Sequence, residues 1–306
     1  MAFTLICTAS KGSRLNSDRA NYELLPPSTN DPHVEIGLTP VRWLELNKGA
    51  VRVKRSQERT KLDELWLGDA FDSQRPDEPA TPVYLRLGSR DALVAELVCG
   101  CMARALNLPA PEVFVVRIRP GTLPRSKLTN TNNDTLCVAT RDLGGASFTQ
   151  LLNTDDDAAV HLLQQWPELN KVATFDEWTA NPDRNMGNLI YVAQTLHIID
   201  HADAFGGSGR DLYPLAELTE LAFSNKLGDL LNCFAPSKRD KALRDVHKWI
   251  ADTAAQLNLS GVVEYAGTNP WNTPNQDIEL VDFLKQRLTV THSLLCQRLG
   301  QPQLSL

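Results

Sequence analysis

The most informative segment of the chain is the polar stretch Asn181-Pro-Asp-Arg-Asn-Met-Gly-Asn188. A helix-like pattern precedes it, and two short apolar runs follow, Leu189 to Val192 and His197-Ile-Ile-Asp200. The turn at Ala193-Gln-Thr195 separates these runs, so they are predicted to form a hairpin of two strands. Such a hairpin would bring Asn188 and Asp200 to the same end.

The spacing of Asp183, Asn188 and Asp200 is typical of a phosphoryl-transfer site. That chemistry needs one aspartate to take the proton of the acceptor hydroxyl. It also needs an amide and a second carboxylate to hold Mg²⁺ against the nucleotide phosphates. A lone Asp-x-x-x-x-Asn is more often a surface turn. Here the helix end before it, the paired strands and Asp200 together favour nucleotide and metal binding.

The pattern of elements changes near Gly144-Gly145. Before it, strands are predicted at the spans listed here: 41–46, 50–54, 83–87, 113–118 and 136–140, with one helix over 91–107. Asn47-Lys48-Gly49 is predicted to join the first two strands as a hairpin. After it, helices are predicted at these spans: 147–152, 158–165, 167–179, 238–257 and 277–299. The sequence therefore predicts an α+β protein with a β-rich lobe, residues 1–143, and a mainly helical lobe, residues 144–306.

The segment Phe175-Asp-Glu-Trp-Thr-Ala-Asn-Pro-Asp-Arg-Asn-Met-Gly-Asn-Leu189, followed by Ile198-Ile-Asp-His-Ala-Asp-Ala-Phe205, resembles the HipA-like kinases, which are related to the phosphatidylinositol 3- and 4-kinases. The resemblance is specific over residues 175–205. It is weaker over residues 83–111, where a strand, a helix with an acidic residue and Leu-Pro-Ala-Pro follow one another. It implies a bilobal protein kinase-like fold that uses ATP and Mg²⁺.

Residue by residue, the resemblance makes Asp183 the catalytic aspartate and makes Asn188 and Asp200 the Mg²⁺ ligands. Asn185 stands where the family's loop usually has His. Arg184, also assigned to the catalytic loop, is expected either to brace this loop or to contact phosphate, with a plain surface ion pair as the alternative. His201 is expected to be a packed, hydrogen-bonded side chain.

The basic residue that binds phosphate is less clearly marked. Kinases place a lysine on a strand and pair it with a helix glutamate, and the positional match here is Arg86 with Glu96. Arginine can grip phosphate in a bidentate fashion, but its shape differs from that of lysine. Lys54 is the rival for this role. If both are structural, the protein binds nucleotide without efficient transfer.

Composition limits the partners that the chain can have. The net charge is −6, from 31 basic and 37 acidic side chains among 306 residues, so it gives no general attraction to nucleic acid or to an anionic membrane. No apolar run approaches the roughly 20 residues that span a bilayer. The first residues resemble a strand and not a secretory signal, and the six cysteines show no disulfide framework, so a cytoplasmic protein is expected.

These observations predict an ATP- and Mg²⁺-dependent phosphotransferase that acts on a hydroxyl of an unidentified protein or small molecule. Two alternatives remain open. One is a catalytically silent nucleotide-binding module, which Arg86 and Asn185 favour. The other is transfer of AMP, which some kinase-like folds perform with the nucleotide reversed. No Gly-x-x-x-x-Gly-Lys-Ser/Thr loop is present, which argues against a Walker-type ATPase.

Overall fold

The computed structural model describes residues 40–53, 64–123, 126–129, 132–207 and 214–300, which lie within the unit Gly37–Leu306. Its strands are β1 Arg42–Leu46, β2 Val51–Arg52, β3 Glu64–Phe71, β4 Thr81–Leu87, β5 Val113–Ile118, β6 Thr135–Arg141, β7 Ala146–Ser147, β8 Leu189–Val192 and β9 Thr195–Ile198. Its α-helices are α1 Arg90–Ala105, α2 Phe148–Thr154, α3 Asp156–Gln165, α4 Leu169–Trp178, α5 Lys226–Leu231, α6 Pro236–Asp252, α7 Leu259–Ala266 and α8 Pro274–Arg298. The predicted mixture of a sheet-rich first part and a helical second part is confirmed.

Five strands of the first part form a closed ring. The strand order is β1-β5-β6-β4-β3-β2, and β1 also pairs with β3, so the ring runs through β1, β5, β6, β4 and β3. The β1–β5 pair is parallel and the others in the ring are antiparallel. Apolar side chains from all five strands fill its core, including Leu44, Trp66, Leu85, Phe114 and Ala139. Closure leaves no unpaired edge within the ring.

The predicted hairpin between residues 41–46 and 50–54 is wrong. In the described residues, β1 and β2 both pair with β3, a strand that the sequence analysis did not predict. Leu46 lies opposite Ala70, and Val51 lies opposite Leu67, so the chain continues along the same edge of β3 instead of turning back. Asn47-Lys48-Gly49 is an interruption of that edge, with Gly49 at φ +102°.

Strand β4 and helix α1 have the predicted positions. Val83, Leu85 and Leu87 point into the ring core, and the alternation of a strand turns Arg86 to the opposite side. Ser89 caps α1, because its hydroxyl oxygen accepts a hydrogen bond from the Ala92 amide. Glu96 on α1 is buried although its side chain is charged. Arg86 and Glu96 therefore lie outside the apolar core of the ring and are both largely shielded from solvent.

The polar stretch 181–188 leads into the predicted hairpin. β8 and β9 pair antiparallel from Leu189 opposite Ile198 to Val192 opposite Thr195. Ala193 and Gln194 both have positive φ, at 49° and 63°, which is the geometry of a two-residue type I′ turn. The hairpin sets Asn188 and Asp200 at one end, as the sequence predicts.

The helices of the second part pack around α4. Trp178 of α4 donates from its indole nitrogen to the Leu284 carbonyl of α8, at 2.8 Å. Glu177 is buried and pairs with Arg298 at 3.1 Å, and Arg287 lies 3.7 Å from the same carboxylate. The predicted helix over 238–257 is shorter than expected: α6 ends at Asp252 and a 3-10 turn follows. Helices α5 and α7 were not predicted. None of the described helices is long and apolar enough to cross a membrane.

Candidate active site

The loop 181–188 is held by its own amide groups. The Asn185 side-chain oxygen accepts from the Gly187 amide at 2.8 Å, so Asn185 caps the short 3-10 helix Met186–Asn188. The Asn188 side-chain nitrogen donates to the Asp183 carbonyl at 2.9 Å. This bond fixes the Asn188 amide group and leaves its oxygen as the atom that can bind a cation. Asn185, at the position of the usual His, thus shapes the loop.

Arg184 braces this loop from inside. Its side chain is fully buried and pairs with Asp176 of α4, with Nε 3.0 Å from Oδ2. Nη1 donates to the Ile199 carbonyl at 2.5 Å, and Nη2 lies 3.0 Å from Nδ1 of His201. One guanidinium therefore joins α4 to the Ile199 backbone and to the His201 side chain, the residues on either side of Asp200. Its burial makes Arg184 a positioning residue, because its donors meet protein groups and not the cleft.

His201 is neutral in this environment. Burial, together with the Arg184 guanidinium, lowers its pKa well below the ordinary value. Arg184 can only donate, so Nδ1 of His201 accepts and the ring proton lies on Nε2. Nε2 is buried and has no hydrogen-bond partner among the described residues. The ring also packs edge-on against Phe175, with centroids 5.9 Å apart. These contacts agree with the packed, hydrogen-bonded role expected for it.

Asp200 occupies a left-handed backbone position at φ +59°. Aspartate tolerates this region better than most residues, but it still carries strain of about 1 kcal/mol or more. The Ile199 amide donates to the Asn188 carbonyl at 3.0 Å, so the two proposed ligand-bearing segments are bonded through their backbones. Strain of this kind persists where surrounding contacts hold a side chain in one direction.

Arg86 joins the two parts of the fold at Asp200. Its Nη2 atom lies 2.5 Å from Oδ1 of Asp200, and the two side chains are only 10% and 16% exposed. The Glu96 carboxylate accepts from the His201 amide at 2.7 Å. Thr140 donates to the other Glu96 oxygen at 3.4 Å. Thus β4 and α1 both contact the segment that follows β9, and β6 holds the Glu96 side chain of α1.

Two buried carboxyl groups behind the site, Glu96 and Asp176, have raised pKa values. Burial raises the pKa of Glu96, although Arg86 and Arg184 oppose the rise. Burial likewise raises the pKa of Asp176 against the opposing effect of the Arg184 guanidinium. Asp176 was not singled out in the sequence. Its position at the end of the Phe175-Asp-Glu-Trp178 helix segment is the only local signal, because its partner is eight residues away.

The structure brings together most of the residues predicted for the site. Hydrogen bonds connect Arg184 and Asp183 to Asn188 and connect Arg184 to the Ile199 carbonyl, and Arg86 and Glu96 of the first part bond to Asp200 and to the His201 amide. Lys54 lies outside the described residues. Asn188 and Asp200 supply an amide oxygen and a carboxylate, the donor types that Mg²⁺ accepts. Among the described residues, no group of three or more His, Cys, Asp or Glu side chains forms a metal site.

Residues 86–216 match the family described as HipA-like kinase, which confirms the resemblance expected from the sequence. The matched range contains Arg86, Asp183, Asn188 and Asp200. The crystal structure of a Helicobacter pylori proinflammatory kinase, CtkA, is similar to this chain with a TM-score of 0.49 and 14% identity, and the similarity covers 85% of this chain and 98% of that one. No curated protein sequence matches the chain.

Proposed function

We propose that the protein is an ATP- and Mg²⁺-dependent phosphotransferase with a bilobal kinase-like fold, in which residues 1–143 and 144–306 are the two lobes. It transfers the γ-phosphate to a hydroxyl of a protein or small molecule. The observation that carries the proposal is the arrangement of Asn188 and Asp200, whose segments are joined by the backbone bond between Ile199 and Asn188, next to the loop of Asp183. The family match over residues 86–216 supports the same reaction class.

Asn188 and Asp200 would hold Mg²⁺. The ion neutralises the charge of the phosphates and orients the γ-phosphate when it is bound. The backbone bond between Ile199 and Asn188 keeps the two ligands in a fixed relation. The Asn188 side chain is oriented by the Asp183 carbonyl, so its amide oxygen needs no reorganisation to bind the cation.

Asp183 would accept the proton of the attacking hydroxyl. It is half-buried, and its carboxylate is within 3.4 Å of the Asn185 side-chain nitrogen. Asn185 therefore orients the base, a role that an amide can fill without taking part in proton transfer. Arg184 acts through the backbone of Ile199 and through His201, and it is a positioning residue in this scheme.

Arg86 would bind the phosphates. Its guanidinium is a planar, permanently charged fork that suits a phosphate oxygen pair. Without nucleotide it contacts Asp200, so it must share or exchange that contact when Mg·ATP enters. The Glu96 carboxylate orients the His201 amide next to Asp200 and would help to set the arginine by charge.

A silent nucleotide-binding module is the second candidate, and one observation favours it. The 2.5 Å contact between Arg86 and Asp200 compensates the proposed metal ligand with a protein cation. If that pair persists when nucleotide binds, Asp200 is not presented to a metal. The protein would then bind nucleotide but transfer nothing.

Mass spectrometry of the reaction product separates the possibilities. The protein is incubated with Mg·ATP and a broad panel of proteins and small hydroxyl compounds, and its own mass is followed as well. Transfer of phosphate adds about 80 Da and transfer of AMP adds about 329 Da. Binding of Mg·ATP with no added mass on any acceptor would support the silent module.

A further inference from the structure

A groove on the second part of the fold is not used by the proposed chemistry. It has a volume of about 370 Å³ and is open to solvent along one face of α8. Ala216, Ile278, Glu279, Asp282, Phe283 and Gln286 line it. Residues 278, 282 and 286 recur at the four-residue spacing of one helix face. The groove is thus a continuous strip along the helix.

The groove combines an apolar floor with negative walls. Ile278 is 60% exposed, which is unusual for a side chain of its size, and Phe283 forms the buried base. Glu279 and Asp282 contribute two carboxylates, and no Lys or Arg is among the described residues that line the groove. Glu217, which follows the lining residue Ala216 in the sequence, is also exposed. An occupant with one apolar side chain and a neighbouring positive charge would complement this strip.

The floor of the groove connects directly to the Asp200 segment. The Phe283 ring packs edge-on against Phe205, with centroids 6.1 Å apart. Phe205 is buried and follows Asp200 by five residues, so their Cα atoms are at most about 18 Å apart. About ten residues of extended chain span roughly 33 Å, which exceeds the sum of these two separations. An acceptor segment whose hydroxyl lies about ten residues from the docked side chain therefore has enough chain to reach from the groove to the candidate site.

The groove wall opposite α8 is held in place by α8 itself. Glu279 accepts from the Leu215 amide at 2.7 Å. One turn beyond Phe283, Arg287 donates from Nη1 to the carbonyls of Leu218 and Thr219, at 2.7 and 2.9 Å. Both sides of the groove are thus preformed, and an occupant would not have to order them on binding.

We propose that this groove docks a basic, apolar-containing peptide segment of a protein acceptor. The inference rests on the proposed phosphotransferase function and narrows its acceptor from proteins or small molecules to proteins. The apolar side chain of the segment packs on Ile278 and Phe283, and its Arg or Lys pairs with Asp282 and Glu279. Charge complementarity selects this occupant over an acidic or a purely apolar partner.

The test is a binding experiment that needs no nucleotide. The full chain is applied to an immobilised array of short peptides in which each position in turn is fixed as Arg, Glu or Leu and the others are randomised. Wild type is expected to favour peptides with fixed Arg and fixed Leu. Asp282→Arg and Ile278→Ser are each expected to weaken this binding about tenfold.

Two matched variants control for surface charge and apolarity. Asp240→Arg on α6 makes the same change of charge at an exposed site, and Val51→Ser removes an apolar side chain that is 66% exposed on β2. Both are expected to bind the array like wild type. Equal binding to Arg-fixed and Glu-fixed peptides would overturn the proposal, and so would unchanged binding by Asp282→Arg and Ile278→Ser.

Association between copies of this chain is the competing use of the groove. If wild type is a dimer and Ile278→Ser makes it monomeric, the groove is a self-interface and the proposal fails. Failure of the proposed phosphotransferase is distinguishable, because it leaves the peptide preference intact while no acceptor gains mass. Conversely, transfer to small molecules without any peptide preference removes the docking proposal alone.

Discussion

Removing Asp176 is expected to destabilise the protein strongly, because it breaks the fully buried pair with Arg184. In Asp176→Ala, the Arg184 guanidinium loses the hydrogen bonds that its Nε and Nη2 atoms donate to the Asp176 carboxylate, at 3.0 and 3.1 Å. The charged group stays buried between α4 and the loop. Breaking a buried ion pair by deleting one partner costs about 3–5 kcal/mol. That is a large share of the roughly 5–15 kcal/mol that stabilises a typical domain.

Urea unfolding followed by circular dichroism measures this loss. The free energy of unfolding is extrapolated to water for wild type and for Asp176→Ala. Asp245→Ala is the matched control, since Asp245 and Lys241 form an exposed pair of similar length, 2.7 Å, one turn apart on α6. The control is expected to change stability by no more than about 0.5 kcal/mol.

Asp176→Asn provides a second measurement of the buried pair if Asp176→Ala does not fold. Asp176→Asn preserves the size of the side chain and can still accept from the guanidinium, so it should fold and lose less stability than the alanine variant. A loss below about 1 kcal/mol in Asp176→Ala would mean that Arg184 finds water or another partner and does not depend on Asp176. The bracing role of Arg184 would then fail.

Asp183→Asn is expected to keep affinity for Mg·ATP but to transfer labelled γ-phosphate about 10² to 10⁴ times more slowly, since the base is lost; equal rates in variant and wild type would remove the catalytic role. Asn188→Ala and Asp200→Ala should each reduce the thermal stabilisation given by Mg·ATP, with unliganded protein as reference, and unchanged shifts in both would argue against the metal site. Burial and the neighbouring His247 lower the pKa of His292 in the folded protein. The free energy of unfolding is therefore highest above the ordinary histidine pKa of about 6.5, and it decreases as the pH falls below that value toward the lowered pKa. His292→Gln should flatten that loss in pH-dependent urea unfolding, and an unchanged slope would contradict the assignment.

Local pattern predicted the elements whose sequence follows one period. Strand β4 alternates Val83, Leu85 and Leu87 with polar neighbours, and α1 carries a clear apolar stripe, so both were predicted close to their observed bounds. Strand β3 was not predicted, because Gly68 and Asp69 interrupt the alternation of its apolar residues. Gly68 is explained only by packing, since a Cβ there would lie 2.8 Å from Cβ of Ala50. The wrong hairpin followed from the missing partner strand.

The part of the site that lies in one short segment of the sequence could be predicted. Asp183, Asn188 and Asp200 lie within eighteen residues, and their spacing carries meaning even before folding. The supporting contacts were harder to predict, because they depend on tertiary packing. Nothing local in the sequence pairs Asp176 with Arg184, or directs Glu96 to the His201 amide from 105 residues away. The Arg86 pairing with Asp200 likewise needs the folded arrangement of β4 and β9.

A crystal structure with Mg²⁺ and a nonhydrolysable ATP analogue shows directly whether Asn188 and Asp200 bind the metal ion and Arg86 binds the phosphates. We expect an ion bound by the Asn188 amide oxygen and an Asp200 carboxylate oxygen at about 2.0–2.1 Å, with Arg86 against the nucleotide phosphates. We also expect Asp183 to face the open side of the γ-phosphate and not to bind the ion. A nucleotide bound away from these residues, or an Asp200 that stays paired with Arg86 while the phosphates lie elsewhere, would contradict this expectation.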